Sequence, residues 1–465
     1  MQTRYKQVIQ DLREAIAGTE RDFTSEKLSR AIFLLSVPMV LEMAMESIFA
    51  IADIFFVARL GSGTVAVVGI TESLMTLIYA LGIGLGTAAT AVISRRIGEK
   101  NPEEACRSAG QAIITGAFLS IFLAIPALIF YRKVLSLMGL DPQVIRDYGA
   151  FTAIITGGNI VIMLLFINNA IFRSSGDAAI SMRVLWFANI LNIILDPLLI
   201  FGYGPIPALG IKGAAIATST GRGLAVLYQF YLLFRTNHRI SLKLHHLKPD
   251  WTIIRNLVRM ASGATGQHLI ATSSWIFLVR IISMFGNQVV AGYTIAIRIM
   301  VFMLLPSWGI SNATSTLVGQ NLGANRPDRA ERSVWITGYI NMIFLGAIGI
   351  VLALIPGSFI RLFIHEPEVV QYGADALRIM SYGFVAYGLG MVMVNTLNGA
   401  GDTVTPTWIN LFCYWMVEIP AAYLLAVAAG LKENGVFISI VIAETAMTLS
   451  AFYFFRKGKW KDIKV

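Results

Sequence analysis

The chain has 465 residues, of which 56% are hydrophobic and only 14% charged, with 41 glycines and a positive mean hydropathy. A soluble chain carries about a quarter charged residues, so this composition excludes a string of water-soluble domains and makes lipid the main solvent. The formal charge of +10 does not specify nucleic acid, because the basic residues sit at the ends of apolar runs rather than on one accessible face, and two cysteines are too few for a disulfide framework.

Residues 1–31 are too charged for a secretory signal, with Arg4, Lys6, Arg13, Arg21, Lys27 and Arg30 ahead of the first apolar run. Within them Tyr5, Val8, Ile9, Leu12 and Ile16 fall at helical spacing, which fits either a helix lying on the membrane or a solvated extension. Twelve runs long enough to cross the hydrocarbon follow, at 32–57, 65–92, 109–130, 147–171, 180–202, 212–234, 256–284, 290–317, 334–355, 369–396, 404–428 and 435–455. Pro38, Pro126, Pro306 and Pro420 are expected to kink or end their helices.

The first span holds Glu42, Glu46 and Asp53. At 100° per residue these lie within about 40° of one another along roughly 16 Å of helix, an acidic stripe that must face the protein interior. It reads as a cation or proton relay, or as partners for arginines such as Arg280 and Arg298; Glu72 in the second span is open to the same two readings. The fifth span places Asn192 and Asp196 on one face just before Pro197, and Thr218 in the sixth span adds a hydroxyl. Such oxygens suit Na+, while interhelical hydrogen bonding accounts for Asn192 equally well.

The basic linker 235–255 contains His238, His245 and His246, which fit a solvated segment facing anionic lipid better than a metal site. In the second half the acids of the first span are missing: Leu278 stands opposite Asp53, and the eleventh span offers Glu418 beside Pro420. The polar candidates there are Gln267, His268, Asn395 and Asn398, with Glu444 in the last span.

Sliding the sequence against itself aligns several motifs at an offset of 225 residues: GEKNPEEA from Gly98 with GANRPDRA from Gly323, Gly84 with Gly309, Pro142 with Pro367, and Gly176-Asp177 with Gly401-Asp402. Six helices per copy is an even number, so the repeat is parallel. The expected layout is an all-α integral membrane protein of twelve transmembrane helices in two six-helix lobes: a segment 1–31, an N-lobe 32–234, the linker 235–255, a C-lobe 256–456 and a tail 457–465. Most of the 37 Lys and Arg fall in the termini and alternate loops on one side, which places both termini in the cytoplasm of a multi-pass plasma-membrane protein. Two lobes about a cleft are what alternating access requires.

Pro38 with Asp53 and Arg59-Leu60-Gly61, the duplicated loop, the RSSGDAA run from Arg173, the NGAGDT run from Asn398 and NIILDPLLIF from Asn192 together resemble the multidrug and toxic compound extrusion (MATE) family of the bacterial type, over residues 30–456. The resemblance implies an antiporter, not an enzyme, that exports small organic cations or drugs in exchange for Na+ or H+. It places the cation-coupling site, and the Na+ ligands of a sodium-coupled member, on Asp53, Asn192, Asp196 and Thr218. Glu42, Glu46, Glu72, Gln267, His268, Asn395 and Asn398 remain candidates for substrate contact or proton relay. The chain departs from members with acids in the seventh and tenth helices, where Gln267 and Asn395 stand. No cofactor beyond the coupling ion, no nucleic acid and a monomer among membrane lipids are expected. The alternative is a lipid-linked oligosaccharide flippase or another polytopic transporter, although the chain's intramembrane acids argue for a cationic load.

Overall fold

The computed structural model describes residues 2–18, 22–235 and 238–465, without the side chains of residues 2–5, 8 and 62. Arg21, counted in the basic N-terminal segment, lies outside the described residues, as do the side chains of Arg4, Tyr5 and Val8. The chain divides into two compact units, unit 1 from Met1–Asp22 and Leu41–Ser262, and unit 2 from Phe23–Val40 and Gly263–Val465. The described residues are helical, with a lone β-bridge between Tyr203 and Ile206.

In chain order the helices are α1 (Gln2–Ala17), α2 (Leu28–Ala58), α3 (Ser62–Gly98), α4 (Pro102–Leu137), α5 (Pro142–Tyr148), α6 (Ala150–Gly157), α7 (Asn159–Ser175), α8 (Ala178–Phe201) and α9 (Ile211–Leu233). After the linker come α10 (Trp251–Ile282), α11 (Asn287–Gly323), α12 (Pro327–Leu354), α13 (Pro356–Arg361), α14 (Pro367–Ser381), α15 (Phe384–Ala400), α16 (Val404–Asn410), α17 (Ile419–Tyr423) and α18 (Lys432–Arg456). Two π-helical stretches, Leu411–Glu418 and Leu424–Ala428, flank α17 and join it to α16 as one span.

Among the described residues nine spans are long and apolar enough to cross a membrane, and α14 with α15, bent by 56°, makes a tenth. With α2 and α9 these fill the twelve-helix layout in two lobes. The surfaces are apolar where lipid should lie: Phe118, Phe122, Ile125 and Ile129 form one exposed face of α4. Pro38, Pro126 and Pro306 do not end their helices, since each lies inside a continuous one, and Pro420 sits where the backbone winds into π turns. The sharp bend comes instead at Tyr382-Gly383, between α14 and α15.

The 225-residue repeat is written into the backbone. Lys100 and Asn325 both take left-handed conformations, at φ 58 and φ 55, in the turns before α4 and α12. Gly176 and Gly401 end α7 and α15 in the same left-handed cap, at φ 99 and φ 95. The next residue, Asp177 or Asp402, accepts from the backbone N–H three residues on, at 3.3 Å and 3.0 Å. Packing follows the same register, since α3 lies on α4 and α7 in unit 1 as α11 lies on α12 and α15 in unit 2.

In unit 2 the guanidinium of Arg326 donates to Thr24 O at 2.8 Å and that of Arg329 to Phe23 O at 3.1 Å, tying the segment before α2 to the start of α12. Gly309 lets α11 approach the α2 backbone, because a Cβ there would lie 2.8 Å from Met39 C. In unit 1, α1 rests on the start of α8 with Ala15 buried, while Ile9, Leu12 and Ile16 stay exposed.

The linker is clasped to α4. Gln111 Nε2 donates to His246 O and Lys248 O, both at 2.9 Å, and its Oε1 accepts from Asp250 N at 2.9 Å. Glu103 accepts from His245 and His246, each 2.9 Å from Oε1. His246 Nδ1 accepts from Lys243 N at 3.0 Å, so the neutral ring carries its proton on Nε2 and spends it on Glu103, which suits a clasp rather than a metal ligand. The hydrogen bonds from His245 and then His246 hold the Glu103 carboxyl at about 2, below its ordinary value of 4.5. A depressed carboxyl contributes above its ordinary value and loses that contribution as pH falls toward its folded value.

Two outcomes follow. Gly401→Ala, forced into a left-handed cap, should cost about 1–2 kcal/mol, read as a lowered thermal midpoint, and Gly176→Ala should behave alike. Glu103→Gln should speed hydrogen exchange across residues 241–250 near neutral pH; in the parent protein the same acceleration should appear as pH falls from about 4.5 toward about 2.

Candidate functional site

The acidic stripe of α2 is split into three environments. Glu42 is buried and paired with Arg173 Nη1 of α7 at 3.0 Å, with Asn169 Nδ2 at 3.4 Å. Asn169 Oδ1 in turn accepts from Gln229 Nε2 of α9 at 2.7 Å. One turn along α2, Glu46 accepts from Asn189 Nδ2 at 3.0 Å and meets Arg222 Nη2 at 3.4 Å. Arg222, buried on α9, also faces Tyr79 and Glu72 of α3 and lies 5.4 Å over the Phe49 ring. The guanidinium partners of these acids are therefore Arg173 and Arg222, rather than the expected Arg280 and Arg298.

Among the described residues Asp53 makes no salt bridge; it lies within electrostatic reach of Arg222 and of Asp196 of α8, which is fully buried. The Asn192 amide, oriented to satisfy both neighbours, donates to Asp196 Oδ2 at 2.8 Å and accepts from Thr218 Oγ1 at 3.0 Å and Thr218 N at 2.8 Å. Asp196 Oδ1 is buried without a hydrogen-bond partner. Thr218 reaches Asn192 because α8 and α9 nearly touch: a Cβ on Gly221 would lie 2.9 Å from Ala188 O, and one on Gly213 would lie 2.3 Å from Leu199 O.

Unit 1 thus gathers Asp53, Asn192, Asp196 and Thr218 at one end of the stripe and Glu42, Glu46 and Glu72 around two guanidiniums. The candidates of unit 2 fall into separate groups. Gln267 of α10 and Asn398 of α15 form a reciprocal amide pair at 3.0 Å and 3.1 Å, with Gln267 Nε2 also on Thr403 O at 3.1 Å. Asn395 Nδ2 instead donates to Ser311 Oγ at 3.2 Å, and His268 is half-buried beside Gln267 on α10. Adding 225 to Glu42 and Arg173 gives Gln267 and Asn398, so one half holds with an ion pair what the other holds with an amide pair. Sequence reading missed Arg173 and Arg222 as partners, although the repeat register linked Arg173 to Asn398.

With this geometry in hand, the family model MatE matches the chain twice, over residues 38–198 and 264–424. The chain belongs to the MatE family. It is similar to the probable multidrug resistance protein YoeA of Bacillus subtilis, 26% identical with 94% of this chain and 95% of that protein covered. A FAD transporter of Shewanella oneidensis is also 26% identical, covering 92% and 94%, and a probable multidrug resistance protein NorM of Thermotoga maritima is 22% identical, covering 94% of each. A solved MOP-superfamily transporter of Pyrococcus furiosus shares the fold at a TM-score of 0.89 and 24% identity, over 95% of this chain and 98% of that one. As a MatE member the chain is a polytopic membrane transporter and not an enzyme.

The paired halves yield a direct test. Glu42→Gln alone strands the Arg173 guanidinium and should cost about 3 kcal/mol, the lower end for breaking a buried pair. Glu42→Gln with Arg173→Asn installs the amide pair that unit 2 already uses, and its thermal midpoint should exceed that of either single variant.

Proposed function

We propose that this MatE transporter is a cation-coupled antiporter that exports organic cations and drugs across the bacterial plasma membrane by alternating access, with both termini in the cytoplasm and the monomer as the working unit. The observation that carries the reading is the unpartnered Oδ1 of buried Asp196 beside Asp53. A carboxylate left so in hydrocarbon must take up a proton or a cation, and each can leave when the other arrives. Asn192 is engaged by Thr218 through its oxygen and by Asp196 through its nitrogen, so it positions Asp196 and leaves Oδ1 of that carboxylate without a partner. Carboxylate oxygen atoms with a nearby hydroxyl suit Na+ as well as a proton.

Unit 1 holds Glu42, Glu46, Asp53, Glu72 and Asp196 against the intramembrane guanidiniums Arg173 and Arg222, an excess of acid that favours a cationic cargo. The Shewanella relative's FAD is anionic, and a FAD arm in the assay separates the two cargo classes.

In proteoliposomes, ethidium flux should follow an imposed Na+ or H+ gradient, and FAD should not move. Asp53→Asn and Asp196→Asn should each lower gradient-driven flux about 5- to 150-fold, the range of an ordinary coupling free energy. Full flux in both variants would sink the mechanism, while FAD flux in place of ethidium would sink the cationic cargo.

A further inference from the structure

Unit 2 carries a second pair of carboxylates, buried at Glu418 and half-buried at Glu444, that the site of unit 1 does not use. Glu418 ends the π-helical stretch Leu411–Glu418, two residues before Pro420, and is 1% exposed. Glu444 lies on α18, which packs against that stretch. Tyr414 Oη donates to Glu444 Oε1 at 3.1 Å, and Ser274 of α10 lies beside Glu418. One oxygen atom of each carboxyl, Glu418 Oε2 and Glu444 Oε2, is buried with no hydrogen-bond partner.

The titratable groups facing the pair are Tyr293 of α11, Tyr387 of α15, and Cys413 and Tyr414 of the π stretch, together with the two carboxyls themselves. Among the described residues no lysine, arginine or histidine forms an ion pair with either glutamate. Two neighbouring carboxylates, one buried and one half-buried, with no counter-cation, cannot both stay ionised at acceptable cost.

The repeat places the pair at a meaningful position. Gly213 of α9 abuts the backbone of Leu199 and Ile200, and Gly435 of α18 abuts Leu425 and Ala426, so the two contacts are equivalent. Counting back seven residues from Leu199 reaches Asn192, and from Leu425 it reaches Glu418. Counting on nine from Gly213 reaches Arg222, and from Gly435 it reaches Glu444. The offset grows from 225 at Gly401 to 226 at Leu425 because the wide π turns absorb one extra residue, a distortion that clusters at functional sites.

We propose that Glu418 and Glu444 form a second ion site, lodged in unit 2, that carries one exchangeable proton on one or the other of the two carboxyls. The exchanging proton leaves a carboxyl O–H for a water molecule, giving carboxylate and hydronium, and returns the same way, with no other bond changed. The site goes beyond the Asp53–Asp196 reading and does not depend on it.

The test therefore uses an Asp53→Asn/Asp196→Asn background, purified and reconstituted, and reads infrared absorption of protonated carboxyls near neutral pH together with proton uptake after a pH jump. Adding Glu418→Gln/Glu444→Gln should remove one protonated-carboxyl band and lower uptake by one proton per molecule. An unchanged band with unchanged uptake overturns the proposal, whatever the flux assay says about unit 1. Should that double variant not fold, Glu418→Gln and Glu444→Gln are read singly for the same band, which must shift or vanish in at least one of them; a band identical in position and size in both overturns the proposal equally.

Discussion

The cost of a charge in hydrocarbon organises this protein. A carboxylate at mid-membrane costs at least about 2.5–3.5 kcal/mol on insertion scales, so each must be paired, neutralised or put to work. Unit 1 shows the outcomes side by side on one helix. Glu42 and Glu46 are answered by Arg173 and Arg222 in salt bridges, while Asp53 feels Arg222 only at a distance and neighbours Asp196, whose Oδ1 has no partner. The stripe is therefore a graded series in which two acids hold helices together and the third, without a salt bridge, is the one to which the proposed mechanism assigns exchange.

That division depends on close helix approach. Arg222 meets acids from α2 and α3 only because α9 presses against α8 through Gly213 and Gly221, and the same contact brings Thr218 to Asn192. Small residues do in lipid what apolar side chains do in water, letting backbones come near enough for polar side chains to find one another. The linker clasp at Glu103 and Gln111 fastens the chain leading into α10 onto α4 by the same kind of polar contact, outside the hydrocarbon.

Duplication preserved the scaffold and freed the chemistry. Left-handed caps, aspartate caps and helix starts recur in both halves because each is a backbone requirement with few sequence solutions. The side chains that such a scaffold points inward are unconstrained by it, so Glu42 with Arg173 becomes Gln267 with Asn398, and the positions of Asn192 and Arg222 become Glu418 and Glu444. Two different arrangements of acid sit on one backbone plan.

The sequence alone determined the membrane setting, the twelve helices, the parallel repeat and the placing of Asn192 and Asp196 on one helix face, because hydropathy, turn glycines and residues one helical turn apart are local in the chain, whereas it was the family resemblance that grouped Asp53 and Thr218 with that pair. The tertiary structure decided which acids are spoken for. Arg173 lies 131 residues from Glu42 and Arg222 lies 176 from Glu46, and nothing in either local pattern announces the meeting. It also decided that Pro38, Pro126 and Pro306 sit inside unbroken helices while the bend falls at Gly383, since neighbouring helices determine how freed carbonyls are satisfied. A charge in lipid is settled by whichever partner the packing brings within reach, and packing is a property of the whole fold.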